Sequence, residues 1–144
     1  MAAGRKLLCI DYGLARTGIA ITDAGGRMAF PCCVLCKDAR HAFFATLCTL
    51  IAKEAPQAIV VGLPLLEDGG ESLSTRQARN FAQSLKRRVA LPIYYMEELL
   101  STHEAREQFR ETGYTPARGE LDQQAAVRIL ESFLNEPEPL WKLA

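Results

Sequence analysis

The sequence predicts an α/β fold: a five-stranded mixed sheet, three antiparallel strands followed by two parallel ones, with helices on both faces. Three observations carry this expectation. Three short apolar runs lie between Lys6 and Cys36, joined only by short glycine-containing connections, the pattern of an antiparallel meander. Beyond them, segments with apolar residues at spacings of three and four alternate with short apolar runs; strand–helix–strand units of this kind are right-handed crossovers that give parallel pairing. The chain has 144 residues and is 49% hydrophobic, which suits one domain with one core and excludes a disordered chain.

Each element has its own signal. Lys6–Asp11 is an apolar run that ends on a carboxylate, and about Thr17–Asp23 forms the second strand; Gly13 and Gly18 stand on either side of Arg16. Ala24-Gly25-Gly26 is a turn signal, and the third strand follows at about Met28–Cys36. Asp38 is placed to cap a helix over about Ala39–Glu54, in which Phe44, Leu47, Ile51 and Ala55 share a face; Pro56 ends it. Ala58–Gly62 is a continuous run typical of a strand buried on both faces. Leu63–Ser72 reads as a loop. Ser74 and Gln77 then fit a capping box, opening a helix that runs to about Val89 with Ala78, Phe81, Ala82 and Leu85 inward. Pro92–Met96 is a short fifth strand. Ser101–Glu104 forms a second capping box for a helix ending near Gly113, and a last helix spans about Leu121–Leu134. Residues 1–136 read as a single domain and 137–144 as a C-terminal tail.

Charge and cysteine usage narrow the function classes. Seventeen basic and seventeen acidic residues give a net charge of zero, so a nucleic-acid partner must be held by a local patch rather than a global field. No apolar run approaches the roughly 20 residues that span a bilayer, and Met1–Lys6 lacks a signal-peptide core, so a soluble cytoplasmic protein with no membrane partner is expected. Five cysteines, an odd number, argue against a disulfide framework. Cys33 and Cys36 match C-x-x-C, but on a strand positions three apart face opposite ways, so buried structural thiols are the expectation.

The chemistry concentrates in carboxylates at element ends. Asp11 closes the first strand, where a buried carboxylate costs free energy unless a cation meets it. Glu97 and Glu98 follow the fifth strand, which parallel pairing brings to the same edge. Asp122 opens the last helix and shares a face with Ala126, Ile129 and Phe133. Three such groups converging need a divalent cation to stay ionised, and oxygen donors favour Mg²⁺ or Mn²⁺ over Zn²⁺. Either glutamate can be the third ligand on this argument. Arg16, Arg76 and Arg79 are candidate phosphate contacts, and Gly13 and Gly18 places where the chain turns and backbone can approach a phosphate. Only His41 and His103 exist, at separate helix starts, which disfavours a histidine-based nuclease.

Four segments together resemble the YqgF or RuvX family, the Holliday-junction-resolvase-like proteins. Asp11-Tyr12-Gly13 with Arg16-Thr17-Gly18-Ile19-Ala20 is similar to the family's first-strand motif. Val60-Val61-Gly62-Leu63-Pro64 with Asp68-Gly69 resembles its central strand and loop, Glu97–Thr102 its Asp-Glu-Arg-Leu-Ser-Thr segment, and Leu121-Asp122 with Ala125-Ala126 and Ile129-Leu130 its closing helix. The likeness covers about Lys6 to Leu134. It implies a ribonuclease-H-like fold and a Mg²⁺- or Mn²⁺-dependent nuclease linked to maturation of the 5′ end of precursor 16S rRNA. It also implies that Asp11, Glu98 and Asp122 are the catalytic, metal-binding triad. Glu97 and Leu99 stand where the family has Asp and Arg, the second change removing a cation beside the site. A four-way DNA junction is the alternative substrate, and a non-catalytic nucleic-acid-binding or ribosome-assembly module the alternative class.

Overall fold

The computed structural model describes residues 4–36, 40–100, 116–137 and 141–144. The helix expected after Ser101, with His103, and the expected cap Asp38 lie outside the described residues. Strands β1 (Leu7–Asp11), β2 (Arg16–Thr22) and β3 (Ala29–Cys36) form the meander, followed by α1 (Arg40–Glu54), β4 (Ala58–Leu66), α2 (Leu73–Lys86), β5 (Ile93–Leu100), α3 (Pro116–Asn135) and β6 (Lys142–Leu143). The sheet runs β3-β2-β1-β4-β5-β6. Pairing is antiparallel within the meander, parallel for β1–β4 and β4–β5, and antiparallel for β5–β6.

Among the described residues the sheet therefore has six strands where five are expected. The sixth comes from the tail, where Trp141 packs on Phe133 and Tyr94 and Lys142 bonds to Glu97 at 2.9 Å. A two-residue strand held by side-chain docking leaves no periodic signal in sequence. Other boundaries also move: α3 starts at Pro116 rather than Leu121, so Asp122 lies in its second turn and does not open it. β4 and β5 continue together to Leu66 and Leu100, past the end of β1. Pro64 is tolerated in that extension because β1 no longer flanks β4 there, so no ladder bond is lost on that side. The cap of α2 is Ser72, not Ser74: its Oγ accepts from the Thr75 N–H, and its own N–H donates to Thr75 Oγ1 at 2.9 Å. Thr75 Oγ1 in turn donates to the Pro64 carbonyl, fixing the helix start to the strand.

The sheet separates two cores. α1 and α2 cover one face, where Leu8, Ile10, Ile59 and Val61 meet Phe43, Leu47, Phe81 and Leu85. α3 covers the other, where Leu7, Cys9, Ala20 and Val60 meet Ala126, Ile129, Leu130 and Phe133. No helix among the described residues is long and apolar enough to cross a membrane. A register shift beside Ile19 and Ala20 leaves Cys32 without a partner on β2, so it packs with Cys33 against the first core while Cys36 is exposed. Burial pushes the Cys33 thiol up to about 12, which makes it a poor nucleophile.

Two local features predict measurable stability changes. Ala55, just past α1, has φ 50, a left-handed conformation at the position where glycine usually ends a helix, so it is not part of the helical stripe. It is exposed. Ala55→Gly should stabilise by roughly 0.5–1 kcal/mol in urea denaturation, because strain relief outweighs the added chain entropy. In the β2–β3 turn, Asp23 Oδ1 accepts the N–H groups of Arg27 at 2.7 Å and Met28 at 3.1 Å. These bonds hold its carboxyl below the ordinary value. A lowered folded-state pKa contributes stability that is present at neutral pH and lost as pH falls through that value. Asp23→Ala should lower the melting temperature at pH 7, and the gap to wild type should close in acid.

Candidate active site

Strand alternation decides which carboxylates meet. Leu7 and Cys9 point at α3, so Asp11, two residues on, falls on the same face. Tyr94 and Met96 on β5 also contact the α3 core, which places Glu98 on that face. Glu97 points the other way along the strand, is exposed, and bonds to Lys142. Extending the β1–β4 register by one residue sets Asp11 level with Gly62 and Met96, with Glu98 one side-chain step further along the β4–β5 extension.

Asp122 arrives from α3, and glycine makes its approach possible. Gly18 pairs directly with Asp11 across β1 and β2. A Cβ on Gly18 would overlap the Asp122 carbonyl oxygen and would lie 3.4 Å from Asp122 Cβ. Directly opposed residues have Cβ atoms about 5 Å apart, so Asp11 and Asp122 stand roughly 9 Å apart at most at that level. Gly62 on β4 faces a side chain of the helix and not its backbone: a Cβ there would come within 2.8 Å of Ile129 Cδ1. The two glycines let α3 lie close on the sheet beside Asp11. Gly18 is thus not the turn and phosphate-approach position expected from sequence: it lies inside β2 against Asp122, and glycine inside an otherwise continuous strand is the signal for such a close approach.

Arg16 is not presented to solvent as a phosphate contact. Its side chain is 2% exposed, and its Nε donates to Asp122 Oδ2 at 2.6 Å, while the Asp122 side chain keeps 20% of its surface. Solvent therefore reaches the pair from the carboxylate end. Gly13 holds the β1–β2 connection: a Cβ there would overlap the Arg16 carbonyl oxygen, so the tight turn that delivers Arg16 needs glycine. Beneath the carboxylates, burial and then the charges of Asp11 and Glu98 push the Cys9 thiol well above its ordinary value. Both carboxylates thus lie within electrostatic reach of the Cys9 sulfur, in keeping with their placement on one face.

Arg76 and Arg79 lie on α2, across the sheet from α3. Arg76 is exposed in the helix's first turn. Arg79 is bound in a two-bond pair to Glu71, at 3.1 and 2.8 Å, and lies over the Tyr95 ring. The structure thus brings Asp11, Glu98, Asp122, Gly13 and Arg16 to one side and leaves Arg76 and Arg79 on the other. Among the described residues, no three His, Cys, Asp or Glu side chains already form a closed metal-binding group.

A family model described as "RuvX: Holliday junction resolvase" matches residues 5–136, nearly the whole chain. The chain belongs to the RuvX family. A RuvX relative from Nitratidesulfovibrio vulgaris (strain DP4) is 55% identical over 141 residues, covering 96% of this chain and 99% of its own. Another, from Oleidesulfovibrio alaskensis, is 55% identical over 135 residues, covering 92% and 94%. Both carry the name "Putative pre-16S rRNA nuclease". Among solved structures, Thermus thermophilus RuvC in complex with a Holliday junction substrate aligns with TM-score 0.59, covering 97% of this chain and 99% of that one, at 12% identity. At that identity the likeness establishes the fold, which is ribonuclease-H-like.

Proposed function

We propose that this RuvX-family chain is a divalent-metal-dependent nuclease that cleaves phosphodiester bonds and matures the 5′ end of precursor 16S rRNA. The observation that carries the reading is the gathering of Asp11, Glu98 and Asp122, from β1, β5 and α3, on one sheet face. The names of the relatives supply the RNA substrate in this proposal.

The donor set fits a hard cation. Asp11, Glu98 and Asp122 offer carboxylate oxygens, and Cys9, the soft candidate below them, is kept protonated by burial and by its acidic neighbours. These three carboxylates would hold Mg²⁺ or Mn²⁺. When bound, the ion supplies Lewis acidity and an activated water. The chain's own residues do the rest. The glycine turn at Gly13, two residues past Asp11, brings the chain back as β2. Arg76, exposed in the first turn of α2 on the other side of the sheet, would contact phosphates away from the scissile one, and Arg79 is held by Glu71.

The test is a comparison of substrates. Purified protein is given a 5′-extended 16S precursor, a single-stranded RNA and a four-way DNA junction, each with Mn²⁺ or EDTA. Cleavage of the precursor that requires Mn²⁺ and disappears in Asp11→Asn is the expected result. RNA cleavage that persists in Asp11→Asn overturns the site. Junction cleavage without RNA cleavage indicates the resolvase, and binding without any cleavage indicates a non-catalytic module.

A further inference from the structure

We propose that Arg16 is the built-in counter-cation of the acidic site: a positioning residue that holds Asp122 in place when no divalent ion is bound. The inference rests on the metal-dependent reading above. Its basis is geometric. Arg16 and Gly18 fall on the same face of β2, and Gly18 is opposite Asp11. The Arg16 side chain is almost wholly buried, and its Nε lies 2.6 Å from Asp122 Oδ2. Asp122 itself sits with its backbone against Gly18. The guanidinium therefore ties β2 to α3 at the point where the helix delivers its carboxylate. A buried arginine in contact with one member of an acidic group offsets the repulsion that Asp11 and Glu98 would otherwise exert on it. Because the exposed end of the pair is the carboxylate, an incoming cation meets Asp122 and not Arg16.

The same arrangement sets a cost on metal entry. A fixed positive charge touching one ligand repels a divalent ion, and the effect is strong where water is scarce. Arg16 thus keeps the site assembled without metal and weakens the metal's grip on it. A phosphate contact would behave differently, since it would act on nucleic-acid affinity and on its salt dependence.

The experiment compares wild type, Arg16→Met and Arg16→Lys by thermal melting with EDTA and with Mn²⁺, and by Mn²⁺ titration calorimetry. Metal-free Arg16→Met should melt about 5 °C or more below wild type. Saturating Mn²⁺ should at least halve that gap, and the variant should bind Mn²⁺ about tenfold more tightly than wild type. Arg16→Lys, which keeps the charge, should bind Mn²⁺ as wild type does. Affinity for single-stranded RNA, measured in EDTA, should change less than about twofold in all three. If Arg16→Met is unfolded in EDTA and folds on Mn²⁺ addition, the inference stands. A gap that Mn²⁺ leaves unchanged, or a variant unfolded in both conditions, reduces Arg16 to a structural residue and overturns it. Loss of RNA affinity with a shallower salt dependence overturns it in favour of a phosphate contact. A wild type that Mn²⁺ does not stabilise overturns the metal reading itself, whereas a stabilised wild type with a parallel Arg16→Met overturns this inference alone.

Discussion

Gly18→Ala is expected to cost the protein both stability and cleavage activity. The new methyl would overlap the Asp122 carbonyl oxygen and lie 2.8 Å from its carbonyl carbon. Both are backbone atoms, so no side-chain rotation relieves the clash and α3 must lift. Lifting α3 loosens its packing on Leu7, Cys9, Ala20 and Val60. Overpacking of this kind costs roughly 1–3 kcal/mol. It also moves Asp122 relative to Asp11, and a displacement of about 1 Å at a reacting group can cost on the order of a hundredfold in rate. Urea denaturation and single-turnover cleavage measure the two effects. Gly25→Ala, in the β2–β3 turn, is the control, because a Cβ there meets only ordinary contacts at 3.7 Å and beyond. Wild-type rate and stability in Gly18→Ala would refute the close approach of α3.

Glu98→Gln and Glu97→Gln form the second informative pair. The two residues are adjacent in sequence and differ only in which side of β5 they occupy. Glu98 shares the α3 face with Asp11 and acts electrostatically on Cys9. Glu97 points away and bonds to Lys142, an exposed pair of small energetic value. Glu98→Gln should lower the cleavage rate at saturating RNA by a hundredfold or more, on the order expected when a metal ligand is lost. Glu97→Gln should stay within about threefold of wild type and lose well under 1 kcal/mol of stability. The reverse ranking would move the site to the other side of the strand. Manganese titration of both variants separates loss of a ligand from loss of a later chemical role.

Much of this was legible before any coordinates. The apolar runs at Leu7–Ile10 and Ala58–Val61 are buried on both faces, as continuous hydrophobic strands should be. The stripe of Phe43, Phe44, Leu47 and Ile51 forms the inner side of α1. Ala126, Ile129 and Phe133 are buried between α3 and the sheet, so the periodicity that drew them into one face described the helix correctly. What escaped has a shared cause. Pro64 and the Glu97–Glu98 pair look unlike strand residues, yet they lie where β4 and β5 run on past β1 and the usual penalties are absent. Once β5 is seen to continue, alternation alone separates Glu98 from Glu97. The bond between Arg16 and Asp122 joins residues 106 positions apart, and nothing local to either encodes it. The same holds for β6, whose place depends on Trp141 finding Phe133.

The order of the segments along the chain has a consequence for when this molecule can act. Asp11 and Glu98 lie within the first hundred residues, whereas Asp122 belongs to the helix that closes the fold. Until α3 docks, Leu7, Cys9 and Val60 lack its cover and the bond from Arg16 to Asp122 cannot form. A chain still being synthesised, or one whose C-terminal third has come loose, carries two acids without their third member. On the proposed reading, the set of three carboxylates is complete only when the last helix has docked.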